Sequence, residues 1–85
     1  MTHRRRILEQ VLSGTSDANV RFDDLCSLLR SLSFGERIRG SHHIFVRAGV
    51  EEILNLQPRG GVAKPYQVKQ VRTVILKHTL GDTDA

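Results

Sequence analysis

Residues 35–57 read GERIRGSHHIFVRAGVEEILNLQ, and the alternation in this stretch decides the fold. Residues 36–39 are short and half-alternating, and residues 42–46 alternate clearly, so each segment predicts a strand. Ile53, Leu54 and Leu56 mark a third strand that runs to about Gln57. Dipeptides that favour tight turns separate the three segments: Gly40-Ser41 and Ala48-Gly49. The stretch therefore predicts a three-stranded antiparallel meander.

Apolar residues at helical spacing flank this meander on both sides. The spacing predicts one helix over His3–Leu12 and a second from Phe22 to Phe34. After a loop over Pro58–Lys64, a third helix begins at Pro65 and runs to about Leu80. The order is α-α-β-β-β-α, an α+β fold class in which the helices cover one face of the sheet and the other face meets water.

The composition limits both the size and the type of protein. The chain has 85 residues with 39% hydrophobic residues, which fits a single domain over 1–85. Its net charge of +4 makes an anionic partner plausible, although many small domains are mildly basic. The single cysteine, Cys26, rules out an internal disulfide and CxxC-type metal sites, and we interpret it as a core residue. No apolar run is long enough to span a membrane, so we expect a cytosolic protein.

Two adjacent histidines, His42 and His43, lie in the second predicted strand. Neighbouring strand residues point to opposite faces, so the two imidazoles cannot serve one metal ion or one phosphate. Phe45 is the better core candidate, so His43 shares its inward face and His42 faces outward. We therefore expect no metal and no cofactor.

An outward histidine beside Arg37 and Arg39 suggests chemistry on a phosphodiester. Arginines hold phosphate oxygens through charge-assisted hydrogen bonds, and imidazole exchanges protons near neutral pH. Such a pair could act on RNA, where the 2′-hydroxyl is the nucleophile. A simple surface or capping role explains the same residues. Further cations form a basic strip or merely the solvated side of the last helix: Lys64, Lys69, Arg72 and Lys77.

Several segments together resemble one known family. They are Phe22-Asp23-Asp24-Leu25 through Leu32-Ser33-Phe34, Arg39-Gly40-Ser41-His42-His43-Ile44-Phe45, Ile53-Leu54-Asn55-Leu56, and Lys64-Pro65-Tyr66-Gln67-Val68-Lys69-Gln70-Val71 through Leu80. In this order they look like the HicA (YcfA-like) toxin family of type II toxin–antitoxin systems. The resemblance covers about residues 21–80, which we take as the core domain, and leaves 1–20 as an N-terminal helical extension. Ser33 stands where the family commonly has glycine.

The resemblance implies both a fold and an activity. The family is similar in fold to double-stranded-RNA-binding domains, and its members are mRNA endonucleases held inactive by a HicB antitoxin. The catalytic histidine of the family's Gly-Ser-His motif falls on His42, with Gly40 and Ser41 shaping the turn. His43 stays as second choice, because members differ in which position of the pair is histidine.

Two functional hypotheses follow. The leading one is a metal-independent mRNA interferase with His42 as general acid or base and RNA contacts from these cations: Arg37, Arg39, Lys64, Lys69 and Arg72. The alternative is a catalytically inactive module of the same fold that binds RNA or an antitoxin-like protein. Loss of the histidine should abolish cleavage but not binding, which separates the two.

Overall fold

A computed structural model describes residues 2–83, with side chains described as far as Gly81; Met1, Asp84 and Ala85 of the predicted domain lie outside the described residues. Three α-helices and five strands follow in chain order: α1 (His3–Ser13), α2 (Phe22–Ser31), β1 (Gly35–Arg39), β2 (His42–Arg47), β3 (Val50–Leu56), β4 (Pro58–Arg59), β5 (Val62–Ala63) and α3 (Pro65–Lys77). The predicted α-α-β-β-β-α order is confirmed, with a small additional hairpin between β3 and α3.

The ends of the helices follow from local chemistry. Thr2 caps α1 by accepting a hydrogen bond from the Arg5 amide, and Gly14 ends this helix with φ 71°. Proline at the first position of α3 removes an amide that has no helical partner in any case. The predicted ends of α2 at Phe34 and of α3 at Leu80 are both three residues too late, because Ser33 and Thr79 take left-handed φ values of 71° and 51°. None of the helices within residues 2–83 combines the length and apolarity that a membrane span requires.

Strands β1, β2 and β3 form an antiparallel sheet in that order. Cross-strand partners share a face, so the register sorts the side chains into two sets. We call one set the inner face: Glu36, Ile38, His43, Phe45, Leu54 and Leu56. The other set is the open face: Arg37, Arg39, His42, Ile44 and Asn55, with Val46 and Ile53 at one end.

The helices pack against the inner face only. Phe45, Leu54 and Leu56 have no exposed surface and join a core built mainly from the helices. Two contacts show α2 lying over β1 and β2: the Phe22 ring meets the His43 ring edge-on at 4.9 Å, and Arg30 bonds Glu36. The expected α+β architecture, with one sheet face left uncovered within the described chain, is confirmed.

The N-terminal segment 1–20, predicted as an extension, packs into this same core through the described part of its length. Ile7, Leu8 and Val11 of α1 are buried. The Arg72 guanidinium of α3 donates to the Val11 carbonyl and to both oxygens of Asp17, at 2.9–3.1 Å. This contact holds the pKa of Asp17 below its ordinary value, chiefly through the Arg72 hydrogen bond. The helix is therefore clasped by α3 and does not project from the domain.

The segment Pro58–Lys64 is not the plain loop that its glycines predict. β4 and β5 form a hairpin, and Arg21 bridges to Val62 of its second strand. Gly60 and Gly61 both have positive φ, 60° and 81°, which a two-residue hairpin turn requires. Each of these strands has only two residues, so the sequence shows no alternation of apolar and polar residues from which the hairpin could be predicted.

Ser33 is the position where relief of strain is expected to stabilise the fold. Its φ of 71° lies in the left-handed region, which costs an L-residue about 1–2 kcal/mol. Ser33→Gly removes this cost but adds unfolded-state entropy, so the free energy of unfolding should rise by about 0.5–1 kcal/mol. Urea unfolding of Ser33→Gly beside Ser33→Ala measures the effect. Equal stability of the two variants would contradict the assignment of strain.

Candidate functional site

His42 lies on the open face with its ring exposed. Its Nδ1 is 3.1 Å from Oδ1 of Asn55 on β3. An amide oxygen only accepts hydrogen bonds, so the Nδ1 that faces it carries the hydrogen and donates. In the neutral form of the ring, the lone pair is then on the other nitrogen, Nε2. Asn55 thereby orients the ring and leaves one nitrogen able to accept a proton.

Two arginines lie on the same face beside this ring. Arg39 is the direct cross-strand partner of His42. Arg37, two residues earlier on β1, is the cross-strand partner of Ile44. Both side chains are exposed, and none of the acidic side chains described, those within residues 2–81, forms an ion pair with either. Their charges are therefore available for an anion that approaches the imidazole.

A hydrogen-bond network supports the turn that precedes His42. Gly40 has φ 59°, which a side chain would disfavour. The Ser41 hydroxyl accepts a hydrogen bond from Gln57 Nε2 at 2.9 Å, and Lys64 Nζ donates to Gln57 Oε1 at 3.3 Å. Gln67 of α3, which is buried, hydrogen-bonds the Gln57 backbone. Lys64 is therefore positioned next to the Gly40-Ser41 turn by Gln57.

His43 has a different environment on the inner face. Its Nδ1 donates to Oε2 of Glu36 at 2.7 Å, and its side chain is only 21% exposed. The same carboxylate receives two hydrogen bonds from Arg30, at 2.7 and 3.1 Å. The pKa of Glu36 is lowered by these contacts, most of all by Arg30. The structure thus places the two histidines on opposite faces, as the alternation predicts.

The two remaining predicted cations lie elsewhere. Arg72 is occupied by Asp17 and the Val11 carbonyl and is 17% exposed. Lys69, on the same helix, is exposed and lies close enough to lower the pKa of Asp17 slightly further. The structure therefore places Arg37 and Arg39 on the face of His42 and Lys64 next to the turn that precedes it, and it separates Lys69 and Arg72 from them.

The open face also carries an apolar area next to the charged one. Ile44, Val46, Ile53 and the stem of Arg37 line a shallow hollow. Val46 is 49% exposed and Ile53 is 61% exposed. A contiguous group of exposed aliphatic side chains is characteristic of a surface that meets another molecule.

Sequence reasoning assigned no role to three residues of this arrangement. Asn55 and Gln57 contact the histidine and its turn, and Glu36 holds the second histidine. Strand register would have revealed Asn55, because β3 pairs it opposite Ile44 on the face of His42. No sequence signal identifies Gln57, since its contacts depend on the β4–β5 hairpin and α3.

Comparison of the chain with protein-family models, curated proteins and solved structures finds no match. The resemblance to the HicA family therefore rests on the residues quoted above. What the fold and the site define is a small α+β domain whose uncovered sheet face presents one oriented imidazole among cations.

The Asn55 contact predicts an unusual tautomer for His42. Free neutral imidazole of histidine prefers hydrogen on Nε2, whereas the contact requires it on Nδ1. Nitrogen-15 spectra of the neutral side chains should therefore show the Nδ1–H form for His42 in the parent protein and in Asn55→Asp, which keeps the acceptor. Asn55→Ala should return His42 to the Nε2–H form. An Nε2–H tautomer in the parent would contradict the geometry.

Proposed function

We propose that this protein is a metal-independent RNA endonuclease, an mRNA interferase that acts as the toxin of a type II toxin–antitoxin system. The observation that carries the proposal is the exposed His42 ring, oriented by Asn55 and flanked by Arg39 on an uncovered sheet face. The resemblance to HicA toxins and the related proposal of a double-stranded-RNA-binding-domain-like fold support it. An mRNA substrate places the activity in the cytoplasm.

The proposed reaction uses the RNA's own 2′-hydroxyl. Nε2 of His42 takes the proton from this hydroxyl, and the 2′-oxygen attacks the adjacent phosphorus. The bond from phosphorus to the 5′-oxygen breaks, and the leaving oxygen receives a proton from the imidazolium or from water. The products are a 2′,3′-cyclic phosphate and a 5′-hydroxyl end. Proton transfer by one positioned group contributes roughly 10²–10⁴-fold, so we expect a slow enzyme.

The cations around His42 have separate tasks in this proposal. Arg39 lies directly beside the ring and would hold the scissile phosphate, where developing negative charge needs stabilisation. Arg37 and Lys64 would bind neighbouring phosphates. We leave Arg72 out of this set because its guanidinium is already occupied by Asp17. Lys69 lies on α3 in the helical layer, away from the open face, and has no RNA contact in this proposal.

The apolar hollow supports a protein partner for the same face. A HicB-like antitoxin that packs on Ile44, Val46 and Ile53 would bury exposed aliphatic surface and at the same time cover His42. Binding and inhibition would then be one event. No further site is required to silence the nuclease.

The alternative is a binding module that holds RNA or an antitoxin-like protein without cleaving. The unpaired arginines favour it as much as they favour catalysis, because phosphate contacts serve both functions. The orientation of His42 by Asn55 is the observation that favours the enzyme, since binding alone does not require a defined tautomer.

Replacement of His42 tests the catalytic proposal. We expect His42→Ala to cut RNA roughly 10²–10⁴-fold more slowly while its RNA affinity stays within about twofold. His43→Asn is the matched control, because its amide can still donate to Glu36, and it should retain cleavage. Single-turnover cleavage and filter binding measure the two properties. If His43→Asn loses cleavage and His42→Ala does not, the catalytic histidine is His43. If the parent protein binds RNA but does not cleave it, the catalytic proposal is wrong and the binding module is the better description.

A pair of charge variants tests which surface binds RNA. Arg39→Ala and Lys69→Ala remove the same charge from opposite layers of the molecule. Arg39→Ala should weaken binding and reduce the slope of log K against log salt by roughly 0.7, the value for one phosphate contact on a single strand. Lys69→Ala should leave both unchanged. The reverse result would move the RNA interface to the helical layer.

A further inference from the structure

We infer that Cys26, Glu36 and His43 form a binding site for a single Zn²⁺ ion on the inner side of the sheet. Their potential ligand atoms all lie within 4.8 Å of one another. The three residues come from α2, β1 and β2, so only the folded chain brings them together. This inference goes beyond the proposed nuclease and departs from the expectation, drawn from sequence spacing, that the chain holds no metal.

The three donor groups favour a metal ion of intermediate softness. A thiolate, an imidazole and a carboxylate together suit Zn²⁺ and are poor ligands for Mg²⁺ or Ca²⁺, which prefer oxygen atoms alone. Three protein ligands leave one position of a tetrahedral site for water. The partial exposure of Glu36 and His43 gives ion and water a route in, while Cys26 closes the inner end.

The geometry requires only local adjustment. Ligand atoms around tetrahedral zinc lie roughly 3.4–3.6 Å apart, given metal–ligand distances of about 2.0–2.3 Å. His43 Nδ1 and Glu36 Oε2, now 2.7 Å apart, must separate by less than an ångström to admit the ion between them. The Cys26 Sγ lies within 4.8 Å of the ligand atoms of the other two residues, so it must approach each by no more than roughly 1.2 Å.

The protons and the neighbouring charges also balance. On binding, the thiol of Cys26 gives its proton to solvent, and the hydrogen on His43 Nδ1 passes to Nε2 by exchange with water. Oε2 of Glu36 exchanges its hydrogen bonds from His43 and from Arg30 Nη2 for the metal, while Arg30 Nε keeps its hydrogen bond to Oε1 and so keeps the ligating carboxylate oriented. Phe22 packs edge-on against the His43 ring and fixes its plane.

A second histidine–carboxylate pair in the chain provides an internal comparison. His78 Nε2 lies 2.9 Å from Glu52 Oε1, nearly the distance between His43 and Glu36. Lys77, not a cysteine, completes that group by bonding the other Glu52 oxygen. Because zinc binding at the proposed site requires the Cys26 sulfur, the Glu36–His43 pair should bind the ion and the Glu52–His78 pair should not.

Cobalt titration of the metal-free protein tests the site, because Co²⁺ replaces Zn²⁺ and reports its ligands. We expect a near-ultraviolet thiolate-to-cobalt charge-transfer band with one equivalent of Co²⁺, and its loss when Zn²⁺ is added. Cys26→Ser should lose the band and bind Zn²⁺ at least about tenfold more weakly, with Glu36→Gln weakened similarly. His78→Ala, the matched control, should behave as the parent does.

Two results would overturn the site. One is the absence of a charge-transfer band from the folded parent protein at saturating Co²⁺, which decides the question even where a variant fails to fold. The other is equal Zn²⁺ affinity of the parent and a folded Cys26→Ser variant, as judged by circular dichroism. Retention of the cobalt band in His42→Ala keeps this question separate from the nuclease proposal.

Discussion

Burial of Phe45 between the sheet and the helices is the constraint on which the site depends. Successive strand residues alternate, so fixing Phe45 in the core sends His43 inward and His42 outward. Leu54 and Leu56 impose the same orientation on β3 and thereby place Asn55 beside His42. A slip of one residue in β2 would exchange the faces of the two histidines. The apolar core thus determines which polar groups can act.

Much of this arrangement could be predicted because it depends on local periodicity. The meander, the first two helices and the opposite orientations of His42 and His43 all follow from apolar spacing and turn residues within the sequence. Ser33, which follows α2, has a left-handed φ of 71°. Serine itself does not predict this conformation, and the only sequence signal is that the HicA family commonly has glycine at this position. The β4–β5 hairpin escapes prediction because two-residue strands have no period.

The features that the sequence did not reveal are those that join distant elements. Arg72 reads as one of several exposed helix cations, yet it clasps Asp17 across 55 residues of chain. Gln57 bonds Ser41 and Lys64 through its side chain, and its backbone bonds the buried Gln67 of α3. Cys26 meets Glu36 and His43 through packing of α2 on the sheet. In each case the signal is tertiary, and no spacing motif encodes it.

The central proposal is that His42 activates the 2′-hydroxyl of RNA on the open face. Its most direct test is to incubate a short RNA with the protein in the presence of EDTA and to analyse the ends that cleavage produces. We expect 2′,3′-cyclic phosphate and 5′-hydroxyl ends, and no scission at a site where the nucleotide 5′ to the break carries a 2′-deoxy substitution. Cleavage that persists at the 2′-deoxy position, or that leaves 5′-phosphate ends, would contradict it.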